Sequence, residues 1–506
     1  MKPAETARSI AKNVVYGFST WFLPLGFSFV ANPIIIHSLG DGDYGLYALI
    51  MGFIANSFTF SVGRAITKYI AEYRASGESE KIREIVSTTI FFNLFICLVG
   101  IVSVGVLAVW FVEDVLQIDE INKSKAVYGL YLASFAVLFT TFNQVFAAVL
   151  QGLHRFDVYA KISNYSNIIA ILGNVLIAVF YKNLLYLIVW NIVYLAVTCL
   201  IFYISAKKLL PEFGIEFRFN RKILKLVIIY CSNIIGYQTL ANVLLMFERT
   251  LVVRHFGAEG LTYYVVPMAL ALYIHGFIYS LTLVVFPVAS ELQNDGERLL
   301  RLYQKAMTLV CCAVFFIAAS TIALGGALLK LWVGEAFVQH STALLVIHTI
   351  SFSIIAIGIV SWQMTEGLGF PKINLYAYIG CFALSIPTMI LLLGKFGLEG
   401  VAVGRLVGFS VLFFSIWYIE KKFFGAVQKR FWLKLFFKLT AATIFAVSVE
   451  KFIILNLAAD WFVLILSGAV GAVAYSAMLL LTKFFSEEEK NFFFTLLKSR
   501  NSDEKS

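Results

Sequence analysis

Apolar runs of about twenty residues recur along almost the whole chain, and one of them, 85–112, contains no charged side chain. As a helix, a run of about twenty residues crosses the roughly 30 Å of hydrocarbon in a bilayer. Only 14% of the 506 residues are charged and 60% are hydrophobic, whereas soluble domains carry roughly 25% charge. No globular core of this size needs that much apolar surface. The expected fold is therefore an all-α integral membrane protein with about fourteen transmembrane helices between residues 13 and 482. The first apolar stretch, 14–36, follows Lys2, Arg8 and Lys12; it is too long for a secretory signal, lacks a small-residue cleavage site, and is expected to remain as the first span.

The six cysteines all fall within apolar runs. There a free thiol behaves as a small hydrophobe, so the sequence suggests neither a disulfide framework nor a metal site. The net charge of +10 raises the question of nucleic acid, but the basic residues sit in short loops between spans and form no single face. Assigned to alternate sides of the membrane, roughly 29 of the Lys and Arg residues lie on the side of both termini and roughly 7 on the other. Both termini are expected in the cytoplasm, with the protein in the inner (cytoplasmic) membrane among its lipids.

Two charged turns share a pattern: "AEYRASGE" at 71–78 and "ASELQNDGE" at 289–297 both contain Glu-x-x-x-x-Gly-Glu. "HSLG" at 37–40 is answered by "HFG" at 255–257, and "QGLHRFDVYA" at 151–160 by "EGLGFPKINLYA" at 366–377. The displacements cluster at about 215 to 219 residues, which reads as an internal duplication. Six spans per copy return the chain to its starting side, so the copies are expected to be parallel repeats. The expected organisation is a six-helix lobe at 1–210, a second at 211–424, two extra transmembrane helices at 425–482 after the basic link "KKFFGAVQKRFWLK", and a cytoplasmic tail at 483–506.

Six plus six helices with two more, together with "LGDGDYGLYAL" at 39–49 and "GRAITKYIAEYRASGESEKIREI" at 63–85, resemble the polysaccharide transporter family. These are the Wzx-type flippases of the multidrug/oligosaccharidyl-lipid/polysaccharide exporter superfamily. "FERTLVVRHFGAEGLTYY" at 247–264 is similar to that family's acidic-basic pair followed by a Gly turn, with Glu248 and Arg249 as the pair, although Leu261-Thr262 stand where a Gly is usual. The resemblance implies two lobes around a central cavity that opens to alternate sides. It also implies movement of undecaprenyl-diphosphate-linked oligosaccharides between leaflets for polysaccharide or O-antigen biosynthesis, with polysaccharide assembly proteins as further partners.

A charge at the bilayer centre costs about 2.5 to 3.5 kcal/mol on insertion scales, so charged residues inside spans should face protein or a wet cavity. Ser57, Ser61, Arg64 and Lys68 share one helical face of the second span, as do Gln238, Asn242 and Arg249 in the seventh, with Glu248 adjacent. Arg405 lies in the twelfth. These seven residues, Arg64, Lys68, Gln238, Asn242, Glu248, Arg249 and Arg405, are the candidate substrate-binding positions. The guanidinium fork suits phosphate oxygens. The alternatives are bonding to neighbouring carbonyls for Arg64, snorkelling for Lys68 and Arg405, and structural pairing with other helices for Glu248 and Arg249. Asn143, Gln144, Asn164, Asn167, Tyr237 and Gln238 either meet sugar or bridge helices. His275 and His348 either act in proton coupling or are buried neutral groups. Glu450 and Lys451 are expected to pair or snorkel.

No Walker loop, nucleophile elbow, zinc cluster or paired catalytic carboxylates are recognisable. Transport without covalent chemistry, cofactor or metal is the expectation. Its rivals are a multidrug/cation antiporter, which needs a buried carboxylate for coupling, and a lipid II flippase of the same superfamily. A membrane-embedded polysaccharide polymerase or glycosyltransferase is disfavoured because the longest loop, 206–225, is too short for a catalytic domain.

Overall fold

The computed structural model describes residues 3–57, 63, 66, 67, 69, 70, 73, 77–153, 155–210, 220–282, 285–482 and 484. Among these residues the chain is helical and contains no strand. In chain order the helices are α1 (Pro3–Leu39), α2 (Asp41–Ser57), α3 (Ser79–Trp110, continued by a π-helical turn, Phe111–Val115), α4 (Glu120–Gly152), α5 (Phe156–Tyr181) and α6 (Leu184–Leu209). There follow α7 (Arg221–Thr282), α8 (Val285–Glu291), α9 (Gly296–Trp332), α10 (Glu335–Gly367), α11 (Lys372–Phe409, leading through a 3-10 turn), α12 (Phe413–Phe423), α13 (Lys429–Asn456) and α14 (Trp461–Leu481). Eleven stretches among the described residues are long and apolar enough to cross a bilayer. The protein is an all-α integral membrane protein. The tail from 485 and most of 58–76 lie outside the described residues.

Local sequence explains where these helices start and bend. The side chains of Asn183, Asp295 and Asp460 each accept a hydrogen bond from a backbone N–H in the first turn of α6, α9 and α14, offsetting donors that a helix start leaves unpaired. Two of the eleven stretches, 231–282 and 372–423, are 52 residues long. Each is broken by a glycine with positive φ, Gly257 (φ 69°) and Gly397 (φ 56°), a conformation that L side chains rarely adopt. The break lets each stretch turn back instead of running on as one rod.

Left-handed residues recur in register. Gly40, Gln117 and Lys182 have positive φ, and so do Gly257, Gly334 and Gly397, which follow them by 217, 217 and 215 residues. The imidazoles of His37 and His255 each bond the carbonyl four residues earlier, of Pro33 and Leu251. Close helix approach recurs too. A Cβ on Gly152 would lie 3.0 Å from the Thr67 carbonyl oxygen, and one on Gly367 would lie 2.6 Å from that of Phe286. Small residues at such contacts let backbones approach, which matters where lipid tails supply no hydrophobic drive between helices.

The six left-handed turns gather at one end of the molecule, called here the glycine-turn end. There an apolar core spans both halves, with Leu46, Leu49 and Ile50 of α2 packed among Leu244, Val252 and Leu261 of α7 and Leu344 of α10, and a second joins Ile36 of α1 to Val266, Leu329 and Trp332. Toward the opposite end, the described residues form separate cores. One holds Ile70, Ile85, Val149 and Phe202 with Val227 and Cys231 from the start of α7. The other holds Tyr303, Met307, Val360 and Met364 with Leu439 of α13 and Tyr475 of α14.

Helices α13 and α14 therefore dock on α9. The buried Glu420 carboxylate organises the link to them, accepting hydrogen bonds from Tyr303 Oη (2.7 Å), Trp432 Nε1 (2.6 Å) and the Gln428 N–H (2.8 Å). Of the two expectations for Glu450, pairing or snorkelling, the structure excludes snorkelling: the residue is fully buried, accepting from Ser320 Oγ of α9 at 2.6 Å. It sits against Gly471 of α14, where a Cβ would come within 2.3 Å of its Oε1. The space left by Gly471 draws the side chain inward.

Candidate functional site

The two halves meet most intimately through the residues of "LGDGDYGLYAL". The carbonyl of Asp41 accepts from Thr262 Oγ1 (2.5 Å) and its carboxylate from Tyr263 Oη (3.0 Å). Gly45 lies so near the backbone of Ala258 that a Cβ there would fall 1.8 Å from the carbonyl oxygen. Nearby, Asp43 pairs with Lys125 at 2.9 Å, and Trp332 Nε1 donates to the Phe29 carbonyl at 2.6 Å. This end of the junction is shut.

Farther from the turns, Arg249 reaches across the junction. Its Nη1 donates to the Ala48 carbonyl of α2 at 2.5 Å. Gly52 makes room for it, since a Cβ there would fall 1.5 Å from the same nitrogen. The Nε of Arg249 is buried and has no partner among the described residues. A guanidinium held by one neutral carbonyl keeps donors available for an anion.

Glu248 and Arg405 are brought together, and both are almost completely buried. Arg405 Nη2 bonds Glu248 Oε2, and Tyr264 Oη donates to Glu248 Oε1. Arg405 lies 5.5 Å from the centroid of Phe352, and His348 packs edge-on against Tyr264 at 4.7 Å. The sequence left structural pairing of Glu248 and Arg249 with other helices as the alternative to cavity lining. Neighbouring residues on a helix do not face one another, and the structure pairs Glu248 with α11 while Arg249 faces α2. Arg405 does not snorkel.

Gln238 and Asn242 line a cavity of about 320 Å³ enclosed by α7, α10, α11 and the turn into α12. One wall is aromatic: Trp362 stands edge-on to Tyr237 (centroids 4.8 Å apart) and to Tyr378 (5.5 Å). Behind it, Glu366 Oε1 accepts from Tyr237 Oη (3.0 Å) and Trp362 Nε1 (3.1 Å), fixing both rings. Across from the wall, Gln238 Oε1, His275 Nδ1 and Ser415 Oγ are buried without partners among the described residues. Each such atom costs about 1–3 kcal/mol unless something bonds it.

Arg64 and Lys68, with Ser61, lie outside the described residues. Asn143 and Asn164 bridge helices, donating to the Leu195 carbonyl and to Ser19 Oγ. Sequence reasoning missed Thr262, Tyr263, Trp362, Tyr378 and Glu366. Glu366 carried a signal as the first residue of a repeated motif, and Thr262 and Tyr263 lie in the 247–264 stretch without a role read for them; Trp362 and Tyr378 are ordinary aromatic residues until packing sets them side by side.

The polysaccharide biosynthesis protein family matches residues 39–342 of the chain. A Shigella flexneri protein named "Putative O-antigen transporter" is 26% identical over 412 residues, covering 78% of this chain and 94% of that one. Among solved structures, a lipid II flippase MurJ in an inward closed conformation superposes with a TM-score of 0.71 at 17% identity, covering 93% of this chain and 98% of that chain. The inward-facing conformation of a multidrug resistance MATE family transporter superposes with 0.66 at 14% identity, covering 81% and 98%. With the helical membrane fold, the recurring turns and the junction built from its sequence motif, the chain belongs to the polysaccharide biosynthesis protein family.

Proposed function

We propose that this protein translocates lipid-linked oligosaccharide, carried on undecaprenyl diphosphate, across the cytoplasmic membrane by alternating access, for O-antigen or a related polysaccharide. On this reading 1–210 and 211–424 are two lobes and 425–482 an accessory helix pair. Both termini lie in the cytoplasm, consistent with the excess of basic residues on that side. The glycine-turn end then faces outward. The shared core and the Asp41 contacts close it, while the opposite end, where the described residues form two cores and α7 alone carries residues of the second lobe into the first lobe's core, is the side of substrate entry.

The observation that carries the reading is Arg249 at the junction, half-engaged with Ala48 and with an unpartnered Nε. When the lobes part, that bond breaks and the full fork is free for a diphosphate, with Arg64 assigned the same role on the second span. A cation antiporter would need a free buried carboxylate. Glu248 is neutralised by Arg405 and bonded by Tyr264, which disfavours it in that role.

The test is flipping of undecaprenyl-diphosphate-linked oligosaccharide in proteoliposomes. Flipping by the wild-type protein and its loss in Arg249→Gln at matched protein level support the proposal. A wild-type protein that exports organic cations and flips no lipid-linked glycan removes it.

A further inference from the structure

The 320 Å³ cavity within the second half is separate from the Arg249 junction, and its chemistry is different. We infer that this cavity is a binding subsite for an uncharged sugar residue of the transported glycan, stacked on the Trp362 wall and hydrogen-bonded by Gln238, Asn242, His275 and Ser415. The inference rests on the flippase reading and adds to it where the glycan is held.

The size is right for one sugar unit, at the lower end of the ~300–1,000 Å³ of small-molecule pockets. Among the described residues, no Lys, Arg, Asp or Glu lines the space. The described lining thus supplies none of the charged donors that a good diphosphate site needs. It also disfavours a lipid tail, which would leave Gln238 Oε1, His275 Nδ1 and Ser415 Oγ unpaired. A sugar ring offers what the lining lacks: hydroxyls for the polar side and a C–H face for the aromatic side. An organic cation could use the rings, but the Glu366 carboxylate lies behind them with its Oε1 bonded to both Tyr237 and Trp362.

The wall is also not a scaffold feature copied with the duplication. At displacements of 218 and 215 residues, Ser19 and Ala147 stand in the first half where Tyr237 and Trp362 stand in the second. Glu366, which fixes the rings, is answered by Gln151. Scaffold contacts such as Gly152 and Gly367 persist in both copies; the aromatic wall belongs to one.

The test uses the full-length protein and two variants, Ala241→Phe, which fills the cavity, and Gln238→Leu, which removes its hydrogen-bonding amide at similar size. Both are compared with wild type after size-exclusion chromatography. Binding is read as the part of tryptophan emission that Trp362→Phe abolishes, during titration with N-acetylglucosamine, galactose, rhamnose, tetraphenylphosphonium or inorganic pyrophosphate. The expected result is a saturable response to at least one neutral sugar and none to the two ions. Half-saturation should weaken at least tenfold in both variants, with a matching loss of lipid-linked oligosaccharide flipping. A response to tetraphenylphosphonium alone, no response to any sugar, or wild-type binding and flipping in both variants overturns the proposal. If wild type flips the glycan and both variants do so equally well, the subsite fails alone. If wild type flips no lipid-linked glycan, the functional reading fails, and the sugar titration still decides whether the cavity binds sugar.

Discussion

Glu248 of α7 and Arg405 of α11, 157 residues apart in the chain, form a buried salt bridge in which Tyr264 bonds the second carboxylate oxygen. Removing one partner from such a pair leaves an unpaired charge in a low-dielectric interior, at a cost of about 3–5 kcal/mol. Glu248→Gln or Arg405→Gln alone should therefore lower thermal stability in detergent and reduce protein abundance, whereas Glu248→Gln combined with Arg405→Met should recover most of the loss. A double mutant no more stable than either single mutant would contradict the pairing.

Arg249 should behave differently. Its single neutral partner makes it a minor contributor to folding, so Arg249→Gln should preserve abundance while flipping falls about ten- to hundredfold, the equivalent of a charge-assisted contact worth roughly 1.5–3 kcal/mol. Arg249→Lys keeps the charge without the planar fork and should rescue only partly. Normal flipping by both variants would remove Arg249 from the substrate path.

Closure at the glycine-turn end can be trapped. In a background lacking the six native cysteines, Asp41→Cys with Thr262→Cys should be bridged by a short bis-methanethiosulfonate, because the two residues are in contact through Thr262 Oγ1 and the Asp41 carbonyl. Flipping should stop in the bridged protein and return on reduction. A cross-linked protein that still flips substrate would show that this contact need not open.

Sidedness follows from labelling. Cysteines placed at the exposed positions 80 and 294 should react with membrane-impermeant maleimide only from the cytoplasmic side, and cysteines at 182 and 395 only from outside. The reverse pattern would invert the molecule and turn the shut end toward the cytoplasm.

The accessory pair offers a packing test. Glu450→Gln retains an acceptor for Ser320 and should be mild in both stability and flipping. Gly471→Leu has no room beside Glu450 and should destabilise the docking of α14 by about 1–3 kcal/mol, seen as a lower melting temperature in detergent. Equal melting temperatures for wild type and Gly471→Leu would mean that α14 does not rest on this contact.

What the sequence determined by itself were properties that a short stretch of chain carries alone. Apolar runs the length of a bilayer dictate spanning helices, because backbone groups in hydrocarbon must bond within their own segment. Histidine and glycine recurring near 37–40 and 255–257 mark two turns with the same handedness, because glycine tolerates positive φ wherever it occurs. Tertiary structure alone decided which partner each polar group takes. Glu248 chose Arg405 over its neighbour Arg249, Glu450 turned inward to Ser320, and Tyr237, Trp362 and Tyr378 became one wall of a cavity. Those choices depend on which helices lie side by side, and in a bilayer every apolar helix face is nearly equivalent to lipid. Close approach at a few small residues, Gly45, Gly52 and Gly471 among them, sets the arrangement.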